Sequence, residues 1–98
     1  MQEAPSSLGI ITKPGEPRAT ELAASIAGWA AGRGINLLVN DRIKQALPGA
    51  SSASAIEIAE QADLLIVMGG DGTMIATARL VGGRGTPVLG VNLGTLGY

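Results

Sequence analysis

The sequence predicts an α/β fold, a parallel sheet with helices on its faces, and three observations carry the prediction. Runs at 8–12, 34–39, 63–68 and 86–91 are almost wholly apolar rather than alternating. Strands covered on both faces read this way. Between the runs, apolar residues recur at helical spacing. Glycine-rich turns follow the third and fourth runs, where a strand would hand over to the next element.

The elements follow in order. Leu8-Gly9-Ile10-Ile11-Thr12 is the first strand. Residues 13–17 form a turn, with Pro17 suited to a first helical position. Leu22, Ile26, Trp29 and Ala30 mark a helix over 18–33, stopped by Gly32 and Gly34. Trp29 on that apolar face is expected in the core. Residues 34–39 form the second strand, and 41–47 a short helix broken by Pro48-Gly49. Residues 50–55 read as a polar loop and 55–61 as a helical turn or two. The strongest strand is 63–68, followed by a helix over 73–81 marked by Met74, Ile75, Ala78 and Val81. The fourth strand is 86–91, with Pro87 at its start, where a missing N–H is tolerated.

Composition bounds the function. The 98 residues make one small α/β domain, 1–98, with 46% hydrophobic residues. With one Trp, one Tyr and no Phe, the core must be aliphatic. A net charge of −1 supplies no basic footprint, so nucleic acid is not an expected partner. The chain has neither Cys nor His. Thiolate and imidazole metal sites, disulfides and His-based triads are therefore excluded within it. No apolar run reaches the length of a membrane span, and the first seven residues lack the pattern of a signal peptide. A cytoplasmic protein without membrane contact is the expectation.

Gly69-Gly70-Asp71-Gly72-Thr73 directly follows the strongest strand. A glycine turn between strand and helix lets backbone N–H groups approach an anionic ligand. The turn is not a Walker loop, which needs a Lys-Ser/Thr pair behind its glycines, and its spacing is not the dinucleotide fingerprint. Asp71 is the acid inside this cradle; its bland alternative is a helix cap. Three glycines with an Asp and a Thr favour function. A helix N-terminus stabilises the ionised carboxylate and so weakens it as a base. Each unit of pKa mismatch with a sugar hydroxyl costs about 1.4 kcal/mol. Proton acceptance late in a transfer, or orientation of the hydroxyl, is easier than prior deprotonation. Ligands of parallel sheets bind at the carboxyl ends of the strands. The turn at 69–73 and the segment 92–98 should therefore share one crevice. Gly82-Gly83-Arg84-Gly85 follows a helix and so falls at the opposite edge. Lys13, Arg79, Asp63 and Asp41 with Glu57 and Glu60 read as solvated charges.

GGDGT at 69–73 together with GVNLGTLGY at 90–98 resembles the NAD kinases, ATP- or polyphosphate-dependent. Diacylglycerol and sphingosine kinases share the first motif but not the second. The resemblance implies a Rossmann-like N-terminal domain. It also implies phosphoryl transfer from ATP or polyphosphate, with Mg2+ or another divalent cation, to the 2′-hydroxyl of the adenosine ribose of NAD. Asp71 would meet that hydroxyl, and Gly70, Gly72 and Thr73 would wall the phosphate site. Asn92 would help position the cleft, and Tyr98 would stack near the adenine where the family usually has Phe. No protein metal ligands are assigned, because Mg2+ is usually held by phosphate oxygens. Ala76 stands where many members have Arg. The family's later Asn-Glu/Asp motif and its β-rich C-terminal domain are not in the chain. These 98 residues are therefore expected to be inactive alone, and the full-length enzyme to be a homo-oligomer. A lipid kinase and a non-catalytic nucleotide-binding module are the alternatives. The lipid-kinase reading needs an exposed apolar face, and none is legible here.

Overall fold

The computed structural model describes residues 6–12, 17–40 and 50–92. The expected short helix at 41–47, the turn at 13–16 and the segment 93–98 lie outside the described residues, and with them Lys13, Asp41 and Tyr98.

The strands are β1 (Ser7–Thr12), β2 (Asn36–Val39), β3 (Ser51–Ser52), β4 (Leu64–Gly69) and β5 (Val88–Asn92). The helices are α1 (Pro17–Ala31), α2 (Ala55–Gln61) and α3 (Asp71–Val81). All strands are parallel, in the order β3-β2-β1-β4-β5. Among the described residues five strands are present rather than four. The additional one, β3, falls in the stretch read as a loop, where Ser51 and Ser52 pair with Leu38 and Val39.

The two faces of the sheet carry separate cores, because side chains alternate along each strand. Leu8, Ile10, Leu37, Val39, Ile66 and Met68 pack under α1. Ile11 and Leu65 pack with Ile58 and Ala59 of α2, Ala62 just beyond it, and Val81 of α3. The helix α1 meets the sheet through Ala19, Ala23 and Ala30, small residues that let its backbone come close. Its bulkier stripe sits to one side, and Trp29 is not core. The residue is 47% exposed, with the Arg33 guanidinium 4.6 Å over its ring. Val88 and Leu89 are likewise exposed on β5. The described residues therefore do present apolar surface, contrary to expectation.

Gly9 shows how closely α2 docks. A Cβ there would fall nearest Ile58 Cγ2 and 2.8 Å from Leu65 Cδ2. Asp63 is exposed, as expected of a strand-start residue, yet it has a structural task. Its Oδ2 accepts the N–H groups of Ser6 and Ser7, at 2.9 and 3.1 Å, and fixes the start of β1. The glycine-rich stretch after α3 forms a 3-10 turn, Gly82–Arg84, at the edge away from the carboxyl ends of the strands. There Arg84 lies 3.5 Å from Glu60 in an exposed pair, of the kind that contributes little.

Candidate active site

The strand order reverses direction between β1 and β4. From β1 the chain moves outward to β2 and β3, then crosses back to β4 and β5. At such a switch point the loops leaving neighbouring strands diverge and open a crevice. A cleft of about 540 Å³ lies there, lined by Ile11 and Thr12 at the end of β1, Ala55 of α2, Gly70 just before α3, and Asp71, Gly72, Thr73, Ala76, Thr77 and Leu80 of α3. Among these lining residues Asp71 is the one ionisable side chain.

The connection from β4 to α3 is tighter than the sequence reading held. Gly69 is still strand, Gly70 is the N-cap, and Asp71 is the first helical residue. Asp71 is therefore not the helix cap. Gly70 supplies no side-chain cap hydrogen bond, so the first amides of α3 keep no side-chain acceptor from the N-cap. Unpaired amides at the positive end of a helix dipole favour an anion. Gly70 has φ −102°, and neither it nor Gly72 is among the glycines with positive φ. A Cβ added at either would meet nothing within 4 Å. The fold thus does not require glycine at these positions. Open space on both sides of Asp71 does suit a ligand approaching the backbone.

Thr73 lies in the first turn, half-buried, and its carbonyl accepts the Thr77 hydroxyl at 2.9 Å. Asn92 ends β5 directly beside Gly69 in the β4–β5 ladder. The structure therefore brings Asn92 to the edge that holds Asp71, although it is not one of the cleft-lining residues. Arg79 is exposed in the last turn of α3 and is not one of the cleft-lining residues. Sequence reading missed Thr12 and Asn40. The Asn40 carboxamide accepts the Thr12 N–H through Oδ1 at 3.4 Å and donates through Nδ2 to the Thr12 carbonyl at 3.3 Å. It holds the last residue of β1 where β2 no longer pairs with it. Only the position of Asn40, next after the second strand, hinted at this.

Among the described residues no group of three or more His, Cys, Asp or Glu could hold a metal ion. The cleft offers, among the described residues, one carboxylate, that of Asp71. That donor set suits a divalent cation arriving on phosphate oxygens better than one caged by the protein. No helix of the described residues is long and apolar enough to cross a membrane.

Comparison with known proteins identifies the family and the fold. The family model of the ATP-NAD kinase N-terminal domain matches residues 8–98. The NAD kinase of Geotalea daltonii is 43% identical over 91 residues, covering 93% of this chain and 32% of that protein. The NAD kinase of Citrifermentans bemidjiense is 45% identical over 94 residues, covering 93% and 33%. The chain thus spans about a third of the length of these relatives. The fold resembles that of yeast NADH kinase, solved in complex with NADH, with a TM-score of 0.76 at 23% identity. That match covers 99% of this chain and 34% of the yeast chain.

Proposed function

Because the chain belongs to the ATP-NAD kinase family through that family's N-terminal domain, we propose that the whole protein phosphorylates the 2′-hydroxyl of the adenosine ribose of NAD, giving NADP. One observation carries the proposal. Among the described residues Asp71 is the single ionisable group lining a cleft at the switch point, set between two glycines that leave the backbone open.

The chemistry follows from the residues. Phosphoryl transfer asks the protein mainly to position and to neutralise charge. The first amides of α3, with Gly70 and Gly72 giving access to them, cradle phosphate oxygens at a helix N-terminus. Thr73 completes that wall. The Asp71 carboxylate accepts a hydrogen bond from the ribose hydroxyl and so aims its oxygen at the phosphorus. It takes the proton as the O–P bond forms, when the hydroxyl has become acidic enough to give it up. Asn92 steadies the edge from β5, and Tyr98 stacks on the adenine. Bound Mg2+ would neutralise the phosphate oxygens of the donor, which is ATP or polyphosphate. The setting is cytoplasmic and the complete enzyme a homo-oligomer.

The test is Asp71→Asn in the full-length protein, followed by NADP formation and NAD binding. The variant keeps size and hydrogen-bonding reach but cannot take the proton. Turnover should fall by about 10²–10⁴-fold, the usual worth of a general base, with NAD affinity largely kept. Unchanged turnover would remove Asp71 from the mechanism. A wild-type protein that makes no NADP would overturn the proposed activity.

A further inference from the structure

Thr12, the last residue of β1, has one polar atom without a partner. Its backbone is secured on both flanks: it pairs with Met68 in the β1–β4 ladder, and the Asn40 carboxamide binds its N–H and carbonyl. The residue is 4% exposed, yet its Oγ1 makes no hydrogen bond, the one such buried side-chain atom among the described residues. Buried hydroxyls nearly always find partners, because leaving one unmade forfeits its hydration for nothing. A valine would fill the same space without that cost, so packing alone does not explain a threonine here.

Thr12 also lines the cleft that holds Asp71. Strand alternation turns its side chain with Leu8 and Ile10 toward the α1 side, whereas Ile11 faces α2 and α3. Thr12 therefore meets the crevice at the end of β1, across the sheet edge from Asp71, while its hydroxyl is buried. The backbone clamps leave χ1 rotation as the movement that brings it out.

We propose that Thr12 is a ligand-binding residue whose hydroxyl donates to a phosphate oxygen of the nucleotide or polyphosphate donor, with the phosphate chain crossing the sheet edge from the α3 N-terminus to the end of β1. This rests on the kinase reading and adds a residue and a direction to it. A phosphate is the fitting class, because the groups facing it are donors: the first amides of α3 and this hydroxyl. The carboxylate of Asp71 is the acceptor left for the sugar. Asn40 is a positioning residue, acting on the ligand through Thr12.

The experiment uses the full-length protein with Thr12→Val and Thr12→Ser. Tripolyphosphate binding is measured by calorimetry and thermal melting is followed without ligand. Thr12→Val should melt about 2 °C or more higher, since an unpaired hydroxyl is replaced by a methyl of the same shape. It should nevertheless bind tripolyphosphate about ten- to a hundredfold more weakly, the worth of a hydrogen bond to a charged group. Thr12→Ser should bind within about threefold of wild type, since it keeps the donor, set against the loss expected for valine. A residue that only supports the fold would move stability and binding in the same direction. Two results overturn the proposal: equal binding by Thr12→Val, or a lower melting temperature, which would mean the hydroxyl is already paired. If wild type makes NADP while Thr12→Val binds like wild type, the role of the hydroxyl fails and the kinase reading stands. If wild type neither makes NADP nor binds tripolyphosphate, both fail.

Discussion

At the scale of single residues, glycines in this chain do two different jobs, and alanine separates them. Gly9 is required by packing: a Cβ would drive into Ile58 and Leu65, which are fully buried. Gly70 and Gly72 are required by nothing in the fold, since neither conformation nor neighbours exclude a side chain. Gly9→Ala should therefore destabilise by about 1–3 kcal/mol through overpacking, without touching the cleft. Gly72→Ala, in the first turn of α3, should leave stability unchanged or raise it by up to about 1 kcal/mol. In the full-length protein it should cut turnover about a hundredfold, because a methyl displaces the ligand from the backbone. Urea unfolding and a turnover assay read the two effects separately. If Gly72→Ala turned over normally, the open space beside Asp71 would have no part in binding.

Among the elements, α2 is the one whose existence most needs explaining. Seven residues are too few for a helix to persist on its own. Burial of Ile58 and Ala59 holds one side, and a reciprocal cap holds the start. Ser54 Oγ accepts the Glu57 N–H at 3.2 Å, and Glu57 Oε1 accepts the Ser54 N–H at 2.9 Å. The Ser54 backbone, then its hydroxyl, hold the Glu57 carboxyl below its ordinary value. A carboxyl depressed in the folded state adds stability above its unfolded pKa and loses that contribution as pH falls through the folded one. The urea midpoint should therefore drop as pH falls below about 4.5 more steeply in wild type than in Glu57→Gln, which keeps an acceptor but does not titrate. Parallel curves would show that the cap is not coupled to folding. Ser54→Ala should cost about 1 kcal/mol at neutral pH. The cap also marks what could be read in advance. Apolar runs revealed β1, β2, β4 and β5; in β1 and β4 the run reflects burial on both faces, whereas β5 keeps its apolar run although Val88 and Leu89 are exposed. The two serines of β3 carry no such signal, since pairing with β2 asks nothing of residue type. The helix α3 starts two residues earlier than its apolar spacing shows, because Asp71 and Gly72 are turn-like residues in a first turn that needs no intrahelical donors. Asp71 was legible from motif chemistry. The orphan hydroxyl of Thr12 and the clamp from Asn40 were not, because both arise from partners 28 residues or more away in sequence.

For the whole molecule, the sheet is a partition: one core lies under α1 and another under α2 and α3, and among the described residues no buried one belongs to both. The two cores communicate only through the strand backbones. Close-packed neighbours share cavities and shifts, whereas separated sites respond independently. Leu37 of β2 lies in the first core and Val81 at the end of α3 in the second, each 7% exposed. Leu37→Ala should cost about 2–5 kcal/mol as a buried leucine truncation. Val81→Ala removes less volume and should cost less. If the sheet insulates the cores, the double variant should be additive within about 0.5 kcal/mol by urea unfolding. A larger coupling would mean that β1 and β4 shift together when either core loosens. The consequence would reach function, because the cleft lies where those two strands end. Thr12 on β1 and Asp71 just past β4 would then change separation whenever either face was perturbed. Additivity would instead show the central strands to be a rigid base that holds the two lips of the crevice at a constant distance. That is what positioning a hydroxyl against a phosphorus requires.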